Sequence, residues 1–327
     1  MSAILGQRAG VGIIGGFDGF DAGRLVEDVC QAEALGFDMF SLADHLHGEH
    51  PTLEPWTALT WAAAATQRIA VMSNVLALPY RSPAVVAKMA ETLDRLSAGR
   101  LVLGLGTGRY DGEFSAFGLA GRTPGQKVSA LGEAVRIIRG LWNGPVVSYE
   151  GAHFRVRGAR IEPRPSHPIP IWLGAYGPRA LRLAGTLADG WIPSLERLEY
   201  RQALAMRSTV RASAEAAGRD PDEITCGANL IVIFDKTRSH AGAKPHAAGQ
   251  RLTGNAESIT ERLVVAFRDG FTFLNVGFTE PGHRELFASE VMPLVRNEIV
   301  RSHGPLSPDG VPPPAADHQG DRGASPN

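Results

Sequence analysis

The feature of this sequence that most restricts its fold is a strict alternation of short apolar runs with amphipathic helical patterns. Residues 11–14 form a brief apolar run ending in Gly15-Gly16. The pattern after it sets Leu25, Val26, Val29 and Ala32 on one helical face, with Asp21 placed to cap it and Gly36 to stop it. Residues 37–42 and 69–75 read as a second and third strand. Ser82-Pro83 then opens a helix, as N-cap and first helical residue, with Val86, Met89, Leu93 and Leu96 at core spacing. Residues 101–105 are a fourth strand. The clearest helix start is Thr123-Pro124-Gly125-Gln126, a capping box with proline in the first turn. Residues 145–168, with Tyr149, His153 and Phe154 in a polar stretch bounded by prolines, read as a hairpin excursion. Four more strands follow at 169–173, 191–192, 228–234 and 271–276, with helices near 178–187, 200–217, 258–268 and 284–300.

Strict alternation implies parallel strands joined by right-handed crossovers. Eight strand–helix units are what a closed (β/α)8 TIM barrel requires, and such barrels carry their functional residues at the strand C-terminal ends. An open doubly wound sheet is the other arrangement the alternation permits, and the count of eight favours the barrel. The expected barrel occupies residues 1–303. Residues 304–327 hold six prolines and four glycines, with Leu306 and Val311 as the only large aliphatics. That stretch buries too little apolar surface to offset its ordering entropy and is expected to be a disordered tail.

Charge and cysteine content narrow the function classes. Thirty-three Lys+Arg stand against 34 Asp+Glu, a formal net charge of −1, without the basic surplus of a nucleic-acid binder. Cys30 and Cys226 lie too far apart in sequence for a metal-type pair and form no disulfide framework, which suits a reducing cytoplasm. No run approaches the roughly 18 apolar residues of a membrane span, and the first ten residues offer no leader-like apolar segment. Lysine occurs only at Lys88, Lys127, Lys236 and Lys244, none near an expected strand end, so arginine carries nearly all the positive charge.

Several motifs lie where a barrel would place chemistry. Gly10-x-Gly12-x-x-Gly15 formally matches a dinucleotide fingerprint, but its glycines interleave with strand residues and nothing strand-like precedes them. Asp44-His45-Leu46-His47 follows the second strand; a carboxylate beside an imidazole can supply a proton or stabilise developing charge, and Asp44 could equally cap a turn. His45-x-His47, with His50 and Glu54 in the same loop, also resembles the metal pair of barrel hydrolases. Gly104–Gly108 and Arg109 end the fourth strand in a glycine-rich turn. Gly174-Ala175-Tyr176-Gly177-Pro178-Arg179 runs from strand straight into a helix whose free N–H groups suit a phosphate.

These segments, taken in order, resemble the luciferase-like monooxygenase superfamily. The resemblance rests on residues 73–84 (SNVLALPYRSPA), 93–101 (LDRLSAGRL), 113–118 (EFSAFG) and Ala188-Asp189-Gly190-Trp191. Members are (β/α)8 barrels with insertions after some strands, holding a flavin or deazaflavin at the C-terminal mouth. Asp44-His45 and Gly174-Ala175-Tyr176-Gly177-Pro178 resemble the branch that uses coenzyme F420, a 5-deazaflavin; the FMN branch more often shows Glu-His. The resemblance implies an F420-dependent oxidoreductase moving a hydride between the deazaflavin C5 and a small organic substrate. It casts His45 as acid/base or charge stabiliser and Asp44 as a contact to the ring. It also implies a cis peptide at Asn74–Val75 under the ring, Thr107 and Gly108 lining it, and Gly174, Ala175, Tyr176 and Gly177 donating to the phosphate. Arg109 and Arg179 are the arginines expected to hold an anionic cofactor. Sugar-phosphate-oxidising members often carry Glu where this chain has Arg109, and their phosphate-gripping Lys has no counterpart after Trp191 among Ser194, Glu196 and Arg197; both departures argue against that substrate. The alternatives are an FMN-dependent monooxygenase, a metal-dependent hydrolase built on His45 and His47, and a cofactor-binding protein without turnover. Relatives are often homodimers, although no residue here marks a dimer interface.

Overall fold

The computed structural model describes residues 10–15, 22–47, 51–235 and 251–303. Gly16, the Asp21 cap, His50, Lys236, Lys244 and the expected tail at 304–327 lie outside the described residues. Eight parallel strands close into a ring: β1 (Gly10–Ile14), β2 (Met39–Leu42), β3 (Ala70–Ser73), β4 (Leu101–Gly106), β5 (Ile171–Gly174), β6 (Gly190–Trp191), β7 (Thr225–Phe234) and β8 (Phe273–Phe278). Each pairs with its neighbours in sequence, and β8 closes on β1 through Gly10↔Phe273. The expected TIM barrel is therefore the observed fold.

Helices α1 (Ala22–Ala34), α2 (Pro55–Ala65), α3 (Pro83–Leu96), α4 (Asp111–Ala116), α5 (Pro124–Asn143), α6 (Pro178–Leu187), α7 (Tyr200–Ala216) and α8 (Ala256–Arg268) lie between strands, and a last helical run covers 283–303. Their apolar faces and the outward side chains of the strands form the larger core, which includes Phe40, Val71, Leu103, Leu131, Val135 and Leu274. The barrel lumen is a separate plug of Met39, Ala70, Met72, Val102, Trp172, Ile192 and Phe273. Alternation along each strand produces the two cores, because successive side chains point inward and outward by turns. Above the plug sits a polar layer. Asn74 and Asn229 exchange amide hydrogen bonds at 2.8 and 3.1 Å, and Asn275 donates to Ser41 Oγ at 2.8 Å and Asn229 Oδ1 at 2.9 Å.

Several local expectations change. The third strand is not one run of 69–75. It stops at Ser73, passes through a cis peptide at Asn74–Val75, and resumes as Leu76–Ala77, which pairs with Leu105 and Gly106 of β4. Ser82 precedes α3 but makes no side-chain cap, leaving Pro83 as the starting signal. Thr123 does form its capping box with Gln126. The expected hairpin is present as Val147–Glu150 against Arg155–Ala159. A short strand, Leu252–Gly254, adds to the far end of β7 and was not anticipated. The glycines of the apparent fingerprint serve packing. A Cβ at Gly10 would stand 2.9 Å from the Phe273 ring, and one at Gly12 2.7 Å from Asn275 Oδ1. Among the described residues no helix is long and apolar enough to cross a membrane.

Candidate active site

The strand C-terminal ends surround a cavity of about 830 Å³, and every catalytic and cofactor-binding candidate named from the family resemblance lines it, whereas His47 and Glu54 of the alternative metal set do not. The loop after β2 contributes Asp44 and His45. Asn74 and Val75 come from the break in the third strand, Thr107, Gly108 and Arg109 from the loop after β4, and Gly174 through Gly177 with Arg179 from the β5–α6 turn.

Glycines decide the shape of this mouth. Val75 projects toward Gly106 and Gly174, where added Cβ atoms would meet its Cγ2 at 2.5 and 3.0 Å. Both glycines are thus the space that the Val75 bulge occupies. Gly108 has φ +77° and faces the Phe114 ring, so the turn after β4 needs both a left-handed backbone and no side chain. Gly177 is different. As N-cap of α6 it makes no side-chain cap, and a Cβ there would meet nothing within 4 Å. The amides at the start of α6 therefore face an open part of the cavity, an anion-binding geometry. Trp191 Nε1 donates to Ala175 O at 2.9 Å and fixes the approach to that turn, and the Ser194 amide donates to Tyr176 Oη at 2.8 Å.

The side-chain wall is a connected set of ion pairs. Asp44 is buried, and its Oδ2 accepts from the Ala77 amide and from Arg81 Nη1, each at 2.7 Å. Arg81 also pairs with Glu54. Burial pushes the Asp44 carboxyl above its ordinary range, against the pull of Arg81. Burial would raise Glu54 too, but the Thr57 amide and Arg81 hold it below the usual value. His45 is half-exposed, and its Nδ1 lies 3.1 Å from Glu113 Oε1 on α4. Tyr80 Oη donates to the other oxygen of Glu113 at 3.3 Å, and burial together with the Glu113 charge pushes the phenol up to about 12. With Nδ1 engaged, Nε2 is the imidazole nitrogen left for a ligand, an arrangement able to hold or pass a proton. The Arg109 guanidinium lies over the Tyr110 ring, which packs beside His45.

Sequence reading missed Glu113, Arg81 and Lys127 as site members. The expectation that no lysine comes near a strand end fails at Lys127. It reaches the mouth from the first turn of α5, donating to Gly108 O at 3.1 Å and pairing with Asp111 at 2.6 Å. Glu113 and Arg81 both stood inside the family-like segments, and only their roles were unread. His47 packs edge-on against Phe117, and among the described residues no three His, Cys, Asp or Glu side chains gather to hold a metal ion.

The chain matches the family model for luciferase-like monooxygenase over residues 5–302. It is 36% identical over 229 residues to the F420-dependent glucose-6-phosphate dehydrogenase of Nakamurella multipartita, covering 68% of this chain and 67% of that protein. It is 34% identical over 239 residues to the F420-dependent hydroxymycolic acid dehydrogenase of Mycobacterium tuberculosis, covering 72% of this chain and 65% of that one. A solved F420-dependent secondary alcohol dehydrogenase, in complex with an F420-acetone adduct, superposes with a TM-score of 0.78. It is 19% identical over 88% of this chain and 99% of that chain, a likeness of fold.

Proposed function

The chain belongs to the luciferase-like monooxygenase family, and from that premise we propose that it is an F420-dependent oxidoreductase acting on a small organic substrate. The observation that carries this reading is its identity with two F420-dependent dehydrogenases over about two thirds of its length, together with Asp44-His45 and the Gly174–Pro178 turn at one cavity. The residues present fit such a cofactor. Val75 offers a raised apolar support for a flat ring, and the uncapped start of α6 is an open seat for a phosphate. When bound, F420 accepts or donates a hydride at C5.

The chain's own residues supply the rest. His45, oriented by Glu113, holds or moves a proton at Nε2 on the substrate oxygen. Asp44, with both Arg81 and the Ala77 amide on it, positions the loop that carries His45. The amides of Gly177 and Arg179 bind the phosphate, and the Arg179 guanidinium beside them donates to Ser129 Oγ of α5 at 3.1 Å. Asn229, whose amide keeps one N–H beyond its bond to Asn74, lines the cavity and anchors a polar substrate group. Ser194 and Glu196 after Trp191, where sugar-phosphate oxidisers carry a lysine, disfavour a sugar phosphate, and the Arg109 guanidinium in the mouth suits the anionic cofactor. Two free thiols, Cys30 exposed and Cys226 buried, suit a cytoplasmic setting.

Titration of purified protein with F420 and with FMN, followed by absorbance and fluorescence, tests the reading. Tight F420 binding with weak FMN binding is expected, and the reverse would assign the chain to the FMN-dependent monooxygenases. Gly177→Val is expected to fold normally, since its Cβ meets open space, yet to weaken F420 binding at least about tenfold, ~1.4 kcal/mol, by blocking the phosphate. An unchanged dissociation constant would move the phosphate elsewhere. Glu113→Ala is expected to lower kcat by about tenfold or more by freeing the imidazole, with cofactor affinity retained; steady-state kinetics beside a binding titration separate the two.

A further inference from the structure

Asn275 of β8 is wholly buried in the barrel lumen and lies outside the cavity lining, as does Ser41 of β2. Its Nδ2 donates to Ser41 Oγ at 2.8 Å and to Asn229 Oδ1 at 2.9 Å, which uses both of its N–H groups. The direction of these bonds is set from Ser41. That hydroxyl donates its single proton to Ile13 O at 3.3 Å, so toward Asn275 it can only accept. Asn275 therefore turns its NH2 to Ser41, and the same NH2 draws the carbonyl end of Asn229 inward. Asn74 donates to that carbonyl at 2.8 Å and to Ser41 Oγ at 3.4 Å, so its N–H pair is used as well. The Asn229 NH2 is left facing the other way. One N–H goes to Asn74 Oδ1 at 3.1 Å, and the second is the one amide N–H of this network without a partner among the described residues. Asn229 lines the cavity. The arrangement carries a penalty, because Asn275 Oδ1 faces Gly12, where a Cβ would stand 2.7 Å away, and is buried with no hydrogen-bond partner. A leucine of the same shape would avoid that penalty, so what Asn275 supplies is direction rather than stability.

We propose that Asn275 is a positioning residue that holds Asn229 from below as a hydrogen-bond donor, so that the cavity floor takes an accepting oxygen of the substrate, such as a ketone carbonyl. The proposal rests on the reading above that this cavity holds the substrate. A site built to donate discriminates by what it leaves unpaired: a ligand without an acceptor there strands the N–H it covers. Asn275 touches neither substrate nor cofactor, and acts only through the orientation of Asn229.

The test uses side-chain amide NMR of protein labelled with 15N-asparagine, titrated with cyclohexanone in the presence and absence of F420. The chain has seven asparagines, so the spectrum is sparse, and the Asn229 signal is assigned by its loss in Asn229→Leu. In wild type, one Asn229 proton is expected to move downfield as the ketone binds, while the Asn74 and Asn275 protons stay in place. Asn275→Leu is expected to weaken the ketone about fivefold and to abolish that selective shift, with F420 affinity within about twofold of wild type as the sign of a folded barrel. If the leucine does not fold, Asn275→Asp replaces it: its ionised carboxylate can only accept, turns the Asn229 NH2 inward, and is expected to give the same loss. Absence of the Asn229 shift in wild type at the highest soluble ketone concentration would overturn the donor floor. Unchanged ketone affinity and an unchanged Asn229 signal in the Asn275 variant would overturn its positioning role. A wild-type protein that takes up no F420 would remove the F420 reading instead, and the titration without cofactor would still decide the role of Asn229.

Discussion

Replacing His45 by alanine is expected to collapse turnover by about 10²–10⁴-fold while F420 affinity stays within about tenfold of wild type. The expectation follows from where the imidazole stands. One nitrogen is engaged by Glu113, the ring is half-exposed at the cavity mouth, and it contributes none of the backbone donors that would seat a phosphate. Removing it takes away a proton-handling group and leaves the cofactor's supports intact. Single-turnover kinetics alongside a fluorescence titration separate the two effects. Equal losses in both would make His45 a binding residue, and the proton would then have to be handled elsewhere in the cavity.

The second large effect is on stability. Arg81→Met strands the buried Asp44 carboxylate with only the Ala77 amide, and breaking such a pair from one side costs about 3–5 kcal/mol. Urea denaturation should show that loss at neutral pH. Burial already raises Asp44 above its ordinary value, so its folded-state titration lies above its unfolded one. The penalty is therefore fullest above the folded value and shrinks as pH falls, because the protonated carboxyl no longer needs the guanidinium. An Arg81→Met/Asp44→Asn double variant is expected to recover much of the loss. If Arg81→Met alone is near neutral, the buried pair is not what secures the His45 loop.

The barrel was legible because its parallel strands are buried on both faces and read as apolar runs between helix patterns. Boundaries shifted by one to three residues, as at β8, expected over 271–276 and found at Phe273–Phe278. Leu252–Gly254 escaped notice because three residues carry no period. The break in β3 coincides with Ser73-Asn74, two polar residues inside an apolar run, which is too slight a signal to mark a cis peptide; only the family resemblance placed it. The His45 and glycine-turn residues could be named from local motifs. Their partners could not: Arg81 lies 37 residues from Asp44, and Glu113 lies 68 from His45. Charge pairs at such separations exist only once the ring closes. Lys127 was discounted for lying outside a strand end, yet a side chain one turn into α5 spans that gap.

The glycine-built half of the mouth also bears on how this protein can change. The wall proposed to hold the cofactor consists largely of backbone: the β5–α6 turn, the start of α6, and the spaces at Gly106 and Gly174. The rest of the lining includes side chains, among them Asp44, His45, Arg109 and Lys127. A side chain there can be exchanged without touching the amides that would seat the phosphate. A lineage built this way can keep one coenzyme for a very long time and still wander widely among the molecules it transforms.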